Sequence, residues 1–397
     1  MTSTRLIVIA GETSGDRLGA ALLAELNTHM PIDCAGIGGP QLQQQGMQCW
    51  WQAEQLAVFG LFEVLRHLPR LLRLRRQLQA EIIAWQPDLV ITIDAPDFNL
   101  PLAKKLRQHG IRVLHYVCPS VWAWRQGRVK TLRLAVDRVM CLLPFEARFL
   151  HQHQVPASYT GHPLVARLQQ FQQDPLQQAE RLRAQIGVSA TATLVALLPG
   201  SRRSEVTRLW PLFLQAAKRL PDALSMVTCA VNAELSAWMQ QQQQKLAPEL
   251  QIHWLDPARH GSWQALQVAD AALLASGTVT LEAMLLGTPM VVSYRLHALS
   301  WWLLRHLRLY KAAHVSLPNL LAGEQIVPEL LQRDASADNL ATALQAVLGE
   351  QGQQQARRLR AVNAQLLLAQ GDGGRPLVNA AGVVRAMLTN NEKNLPC

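Results

Sequence analysis

The chain has 397 residues, 49% hydrophobic and 17% charged, with a mean hydropathy of +0.04. That length holds two or three domains with real cores and excludes a largely disordered or low-complexity chain. Lysine and arginine outnumber aspartate and glutamate 38 to 28, giving +10 and a pI of about 9.7, so anionic partners are expected: nucleotide, nucleic acid, phosphorylated lipid or membrane surface. The cysteines Cys34, Cys49, Cys118, Cys141, Cys229 and Cys397 form no CxxC pair, which argues against a zinc ribbon or a disulfide framework and suits a reducing compartment.

Taken in chain order, apolar runs at 6–10, 33–37, 89–94, 112–117 and 139–143 predict five strands. A second series follows at 194–198, 223–228, 252–255, 271–275 and 290–294. The runs are almost continuously hydrophobic, as strands covered on both faces must be, and the segments between them can hold crossover helices. This is the α/β pattern of a parallel sheet, twice over. The polar, Gln-rich stretch 164–187 reads as a linker plus a helix. The expected division is 1–165, 166–365 and a helical C-terminal tail at 366–397. Gln clusters at 43–45, 240–244 and 353–355 predict solvated helix faces. The first apolar run is too short for a signal-peptide core. Residues 271–292 are interrupted by Gly277, Glu282, Gly287 and Pro289, so they do not read as a membrane span. The expected location is cytoplasmic, with any membrane contact peripheral.

Ligands of open α/β sheets bind outside the carboxyl ends of the strands, so the chemistry belongs in the strand-to-helix turns. The first turn, Gly11-Glu12-Thr13-Ser14-Gly15-Asp16, resembles a phosphate loop but is neither GxGxxG nor a Walker sequence. A capped helix start explains all of it except Glu12. The turn Asp94-Ala95-Pro96-Asp97-Phe98-Asn99 sets two carboxylates three residues apart, suited to a general base, with helix capping as the alternative. In Pro119-Ser120-Val121-Trp122-Ala123-Trp124-Arg125, two tryptophans beside an arginine suit a sugar face or an acyl groove, or ordinary packing.

In the second half, Pro199-Gly200-Ser201-Arg202-Arg203 opens a helix with exposed N–H groups and a fixed cation, which a diphosphate needs without a metal. Ser276-Gly277-Thr278 offers a second such helix start, and Glu282 on the following helix suits the two hydroxyls of a ribose. Asn319 and Gln325 carry a weaker signal for sugar or nucleotide. There is no DxD, HExxH or GxSxG, so neither a metal nor a hydrolase nucleophile is expected. Two stretches mix apolar residues with purely basic charge: 61–78, with Leu65, Arg66, Leu68, Arg70, Leu72 and Arg73, and 300–311, with Trp301 and Trp302. Both suit an anionic membrane interface.

Together the ordered motifs at 10–16, 94–99, 119–125, 198–202, 275–278 with Glu282, and 318–321 resemble the lipid-A-disaccharide synthase family. The resemblance implies a GT-B fold of two Rossmann-like, doubly wound parallel-sheet domains facing across a cleft. It also implies an inverting, metal-independent transfer without cofactors. UDP-2,3-diacylglucosamine and 2,3-diacylglucosamine 1-phosphate (lipid X) give the β-1,6-linked disaccharide 1-phosphate and UDP. By that resemblance Asp97 is the expected base, Asp94 orients its loop and Glu12 is a third catalytic candidate. Ser14, Trp122, Trp124 and Arg125 fall on the acceptor side. Gly200, Ser201, Arg202, Ser276, Gly277, Thr278, Glu282, Asn319 and Gln325 fall on the donor side. The expected setting is the cytoplasmic face of the inner membrane, with an anionic lipid surface as partner, no nucleic acid, and a homo-oligomer left open. A different GT-B enzyme and a non-enzymatic anionic-surface or nucleic-acid binder are the competing readings.

Overall fold

The computed structural model describes residues 3–56, 61–122, 127–165, 168, 174–189, 191–221, 224–295, 313–368 and 379–389, with the side chains of 54, 61–68, 175 and 368 not among them. The first part of the chain runs β1 (Thr4–Ala10), α1 (Thr13–Asn27), β2 (Ile32–Gly38), α2 (Pro40–Gln44), β3 (Gln48–Gln52), α3 (Leu61–Trp85) and β4 (Leu89–Ile93). It continues with α4 (Pro96–Gln108), β5 (Val113–Tyr116), α5 (Arg128–Ala135), β6 (Arg138–Cys141), α6 (Pro144–Gln152) and β7 (Ala157–Tyr159). The second part contains α7 (Pro175–Gln185), β8 (Leu194–Leu198), α8 (Arg203–Ala217), β9 (Ser225–Thr228), α9 (Ala233–Leu246), β10 (Ile252–Trp254) and α10 (Ser262–Val268). Then come β11 (Ala271–Ala275), α11 (Thr278–Leu286), β12 (Met290–Tyr294), α12 (Leu317–Ala322), β13 (Glu329–Leu331), α13 (Ala337–Leu348), α14 (Glu350–Leu368) and α15 (Ala380–Leu388).

The strands assemble into two parallel sheets of seven and six strands, ordered β3-β2-β1-β4-β5-β6-β7 and β10-β9-β8-β11-β12-β13. Leu6 to Ala10, Leu89 to Ile91, Leu194 to Leu197 and Ala271 to Leu274 are all fully buried, because helices cover both faces of each sheet. In each sheet the strand order reverses once, between β1 and β4 and between β8 and β11. Those reversals are where ligands of doubly wound sheets bind.

Two compact units result, one reaching Pro163 and including α15, the other spanning Leu164 to Leu368. The last helix thus belongs to the first unit: Ala381, Val383, Val384 and Met387 are buried in one cluster with Leu22, Leu23 and Leu26 of α1. Gly36 is obligatory in β2, since its φ is +141° and a Cβ there would lie 2.1 Å from the Val8 carbonyl oxygen.

Three strands lack the apolar signal that marked the others. β3 is a half-exposed edge strand of Gln, Cys and Trp, and β7 and β13 have three residues each. One Gln cluster also departs from the solvated-face expectation. Gln355 is buried and continues the edge of the sheet with its amide, donating to the Met290 carbonyl at 3.1 Å and accepting from the Met290 N–H at 2.5 Å.

Candidate functional site

In the first unit Ala10 and Ile93 are register partners at the ends of β1 and β4, so the turns carrying Glu12 and Asp94 leave the sheet side by side. Asp94 and Ala95 are both left-handed, with φ of +50° and +43°. Such strain costs about 1–3 kcal/mol per residue and persists only where the surroundings impose it. Here the buried Asn99 imposes it: its amide donates to the Asp94 carbonyl at 2.7 Å and the Ile93 carbonyl at 3.4 Å. Pro96 then starts α4 and places Asp97 in its first turn. The Asp97 carboxylate is 80% exposed and forms an ion pair with Arg128, the first residue of α5.

Val117, after β5, is a third strained residue at φ +76°, unusual for a β-branched side chain. Its turn leads to Trp122. The indole packs edge-to-face on Phe145 at 5.1 Å and donates its N–H to the Glu146 carboxylate at 3.3 Å. Trp122 is held as part of the scaffold at this strand end. Glu146 is buried and also accepts from the Leu143 N–H at 3.1 Å; burial pushes its carboxyl up to about 7. Trp124 and Arg125 lie outside the described residues.

In the first turn Asp16 does not cap its own helix. Its buried carboxylate accepts from the N–H groups of Gly39 (2.8 Å), Gln41 (3.0 Å) and Leu42 (3.1 Å), capping α2 instead. Glu12 stands half-buried at the start of α1 and makes no side-chain capping bond, while Ser14 is exposed one residue into the helix.

The second unit repeats the geometry. Leu198 and Leu274 are register partners on β8 and β11, bringing together the turns at 199–202 and 276–278. Gly200 has a φ of +118°, and a Cβ there would meet the Glu205 carboxylate at 2.7 Å. Glu205 lies against the turn, accepting from the Arg202 N–H at 3.4 Å and standing 3.5 Å from its guanidinium. Ser201 and Arg202 are left exposed at the start of α8, the Arg202 side chain by 64%.

At the other turn Ser276 is bonded within the fold. Its N–H goes to the Ser293 carbonyl at 3.0 Å and its hydroxyl to the Val315 carbonyl at 2.9 Å, so it locks the turn. The N–H groups of Thr278 and Val279 precede the first bond of α11, which runs from the Thr280 N–H to the Gly277 carbonyl at 3.1 Å. Glu282, one turn along, is half-buried and accepts the Ser262 hydroxyl at 2.5 Å.

Asn319 is engaged entirely within the fold. It is fully buried, and its amide donates to the Val327 carbonyl (3.0 Å) and Glu329 (2.8 Å) while accepting from the N–H groups of Ile326 (2.7 Å) and Val327 (2.9 Å). Every hydrogen-bonding position is occupied inside the fold, which leaves none for a sugar or a nucleotide. Glu329, which sequence reasoning missed, is the centre of this network and also accepts the N–H and hydroxyl of Ser316 at 2.8 and 2.6 Å. Its signal was an acidic residue among Val327, Pro328, Leu330 and Leu331. Gln325 is exposed on the same loop. Arg128 was also missed, being one of several basic residues at 125–133.

Of the membrane-facing candidates, Arg70 and Arg73 are exposed on α3 and Leu72 is half-buried, whereas Trp301, Trp302 and the side chains of Leu65, Arg66 and Leu68 lie outside the described residues. Among the described residues no helix is long and apolar enough to cross a membrane.

Two doubly wound units, with paired carboxylates at the switch point of one and two phosphate-suited helix starts at that of the other, have the GT-B architecture. Solved structures agree on the fold. The UDP-GlcNAc 2-epimerase from Neisseria meningitidis superposes with a TM-score of 0.61 at 12% identity, covering 98% of this chain and 100% of that one. The calicheamicin glycosyltransferase CalG4 does so at 0.59 and 14%, again covering 98% and 100%. A family model described as lipid-A-disaccharide synthetase matches residues 6–372, and the chain belongs to that family. The lipid-A-disaccharide synthase of Chromohalobacter salexigens is 46% identical over 358 residues, 90% of this chain and 91% of its own. That of Pseudomonas aeruginosa is 45% identical over 357 residues, 88% and 91%. Membership makes the chain a glycosyltransferase of lipid A assembly and displaces the non-enzymatic readings.

Proposed function

We propose that the chain joins UDP-2,3-diacylglucosamine to 2,3-diacylglucosamine 1-phosphate by a single inverting displacement, with the first unit activating the acceptor and the second holding the donor. The observation that carries this is the pairing of motif turns on neighbouring strand ends in each unit. Asp97 takes the proton of the acceptor 6-hydroxyl, a contribution worth about 10²–10⁴-fold. Its exposure leaves the carboxylate open to substrate, and Asp94 with Asn99 holds the turn that aims it. Glu12 stands at the adjacent strand end on the acceptor side.

As the new bond forms from O6 to the donor C1, the bond from C1 to UDP breaks and its electron pair leaves on the diphosphate. Arg202 and the N-terminal turns of α8 and α11 stabilise that charge without a metal. Glu282, bonded to Ser262, takes the ribose hydroxyls, and the exposed Gln325 is assigned to the donor.

The enzyme works at an anionic membrane surface, the cytoplasmic face of the inner membrane. Support comes from Arg70 and Arg73, exposed beside Trp51 around a groove of about 260 Å³ that also includes Gln55, Leu74 and Gln77. The deciding experiment is mass spectrometry of products after mixing purified protein with both lipid substrates in EDTA. The disaccharide 1-phosphate is expected, and its absence from parent reactions overturns the reading.

A further inference from the structure

We propose that Arg128 is the residue that reads the acceptor's anomeric phosphate, exchanging its ion pair with Asp97 for that phosphate when the acceptor binds. The inference rests on the reading of the Asp97 turn as the acceptor side.

Helix stability does not explain the position of Arg128. It is the first residue of α5, whose opening turn has no acidic residue, and a cation there opposes the helix dipole. Yet its side chain is only 21% exposed, so the stem is packed while the guanidinium reaches a carboxylate 31 positions earlier. The more sheltered partner is the cation and the exposed one is the candidate base. An arginine held in this way has a fixed guanidinium and an easily exchanged counter-ion.

The acceptor's covalent structure matches this pair. In a glucosamine ring C1 and C5 are both bonded to the ring oxygen. The phosphate on C1 and the hydroxymethyl carried by C5 therefore flank the same edge of the sugar. A carboxylate and a guanidinium side by side meet that edge with a proton acceptor for the 6-hydroxyl and a cation for the phosphate. Ion pairs in which one partner is exposed contribute little, a few-fold at most, whereas guanidinium binds phosphate oxygens in bidentate fashion. The phosphate therefore wins the exchange. The carboxylate oxygen that faced Arg128 becomes available to the 6-hydroxyl, which passes its proton there as O6 bonds to the donor carbon and UDP departs. An acceptor without the phosphate leaves Arg128 on Asp97 and reacts poorly.

The test compares lipid X with 2,3-diacylglucosamine, the same acceptor without its phosphate, in the full-length parent and in Arg128→Ala, Arg128→Gln and Arg128→Lys. In the parent, loss of the phosphate is expected to lower kcat/KM by roughly 10-fold or more, the range for a charge-assisted contact. In Arg128→Ala or Arg128→Gln the two acceptors become equivalent to within about twofold, chiefly through a raised KM for lipid X, and Arg128→Lys restores part of the preference. UDP affinity by calorimetry stays at the parent value, which reports on folding. A parent that does not distinguish the acceptors, or neutral variants that keep its full preference, overturns the proposal. Asp97→Asn separates this from the wider mechanism. Normal turnover in that variant removes Asp97 as the base, while the acceptor preference still reports on Arg128.

Discussion

Ser262 donates its hydroxyl to Glu282 at 2.5 Å, joining α10 to the helix that follows the second phosphate-suited turn. Glu282 is half-buried, and the hydroxyl engages one of its carboxylate oxygens. Ser262→Ala is expected to weaken UDP binding by about 3–10-fold, the scale of one lost hydrogen bond, and Glu282→Ala by more. Calorimetric titration with UDP measures both. Unchanged affinity in Ser262→Ala alongside a large loss in Glu282→Ala would mean that the hydroxyl does not orient the carboxylate.

Arg202→Ala is expected to lower UDP affinity and slow turnover, because a charge-assisted contact to diphosphate contributes about 1.5–3 kcal/mol. Activity is expected to persist in chelator. An absolute requirement for Mg²⁺ in the steady-state assay contradicts the metal-free account of the leaving group.

Asn319→Ala separates the two roles once open to that residue. The amide serves two backbone N–H groups, one carbonyl and Glu329, so its loss leaves buried partners unsatisfied and destabilises the second unit by about 2–4 kcal/mol. Urea unfolding shows this directly. A variant with parental stability and lost UDP binding would restore the ligand-contact role.

Glu146 makes stability depend on pH. Its carboxyl is raised from 4.5 to about 7, chiefly by burial, so between those values the folded chain holds a proton that the unfolded chain has released. Stability from this group is complete below about pH 4.5, falls as pH rises toward 7 and is level above it, an effect on the order of 3 kcal/mol in all. Glu146→Gln keeps an acceptor for the Trp122 indole and is expected to flatten that slope. Denaturation midpoints measured from pH 5 to 8 supply the comparison, and parent and Glu146→Gln profiles of the same shape contradict the assignment.

Replacing Arg70 and Arg73 with serine is expected to reduce co-sedimentation with anionic vesicles while sparing UDP affinity. Each basic residue near such a surface contributes on the order of 1 kcal/mol, screened within a Debye length. Binding of the parent is expected to weaken with salt without vanishing, since apolar contacts are not screened. A double variant that sediments like the parent ends the membrane role of this helix face.

The buried strands were legible because a strand covered on both faces needs an uninterrupted apolar run, as in residues 6–10 and 271–275. The switch-point turns were legible because they follow directly on the buried strands, where doubly wound sheets bind ligands. Edge strands carry no such requirement, so β3, β7 and β13 left little trace. Within the turns, residue type alone left Asn319, Ser276 and Trp122 equally suited to ligand or scaffold. Their partners lie far along the chain: Glu329 for Asn319, Val315 for Ser276, Glu146 for Trp122. A polar side chain makes the same bonds to protein as to ligand, and only the folded neighbourhood determines which is present. By itself, then, the sequence determined the duplicated α/β plan, the family and the turns at the strand ends, all of which depend on local pattern. The tertiary structure alone decided which polar groups in those turns face outward and which are locked inside, and it brought Arg128 to Asp97, because those relations depend on contacts between residues remote in the chain.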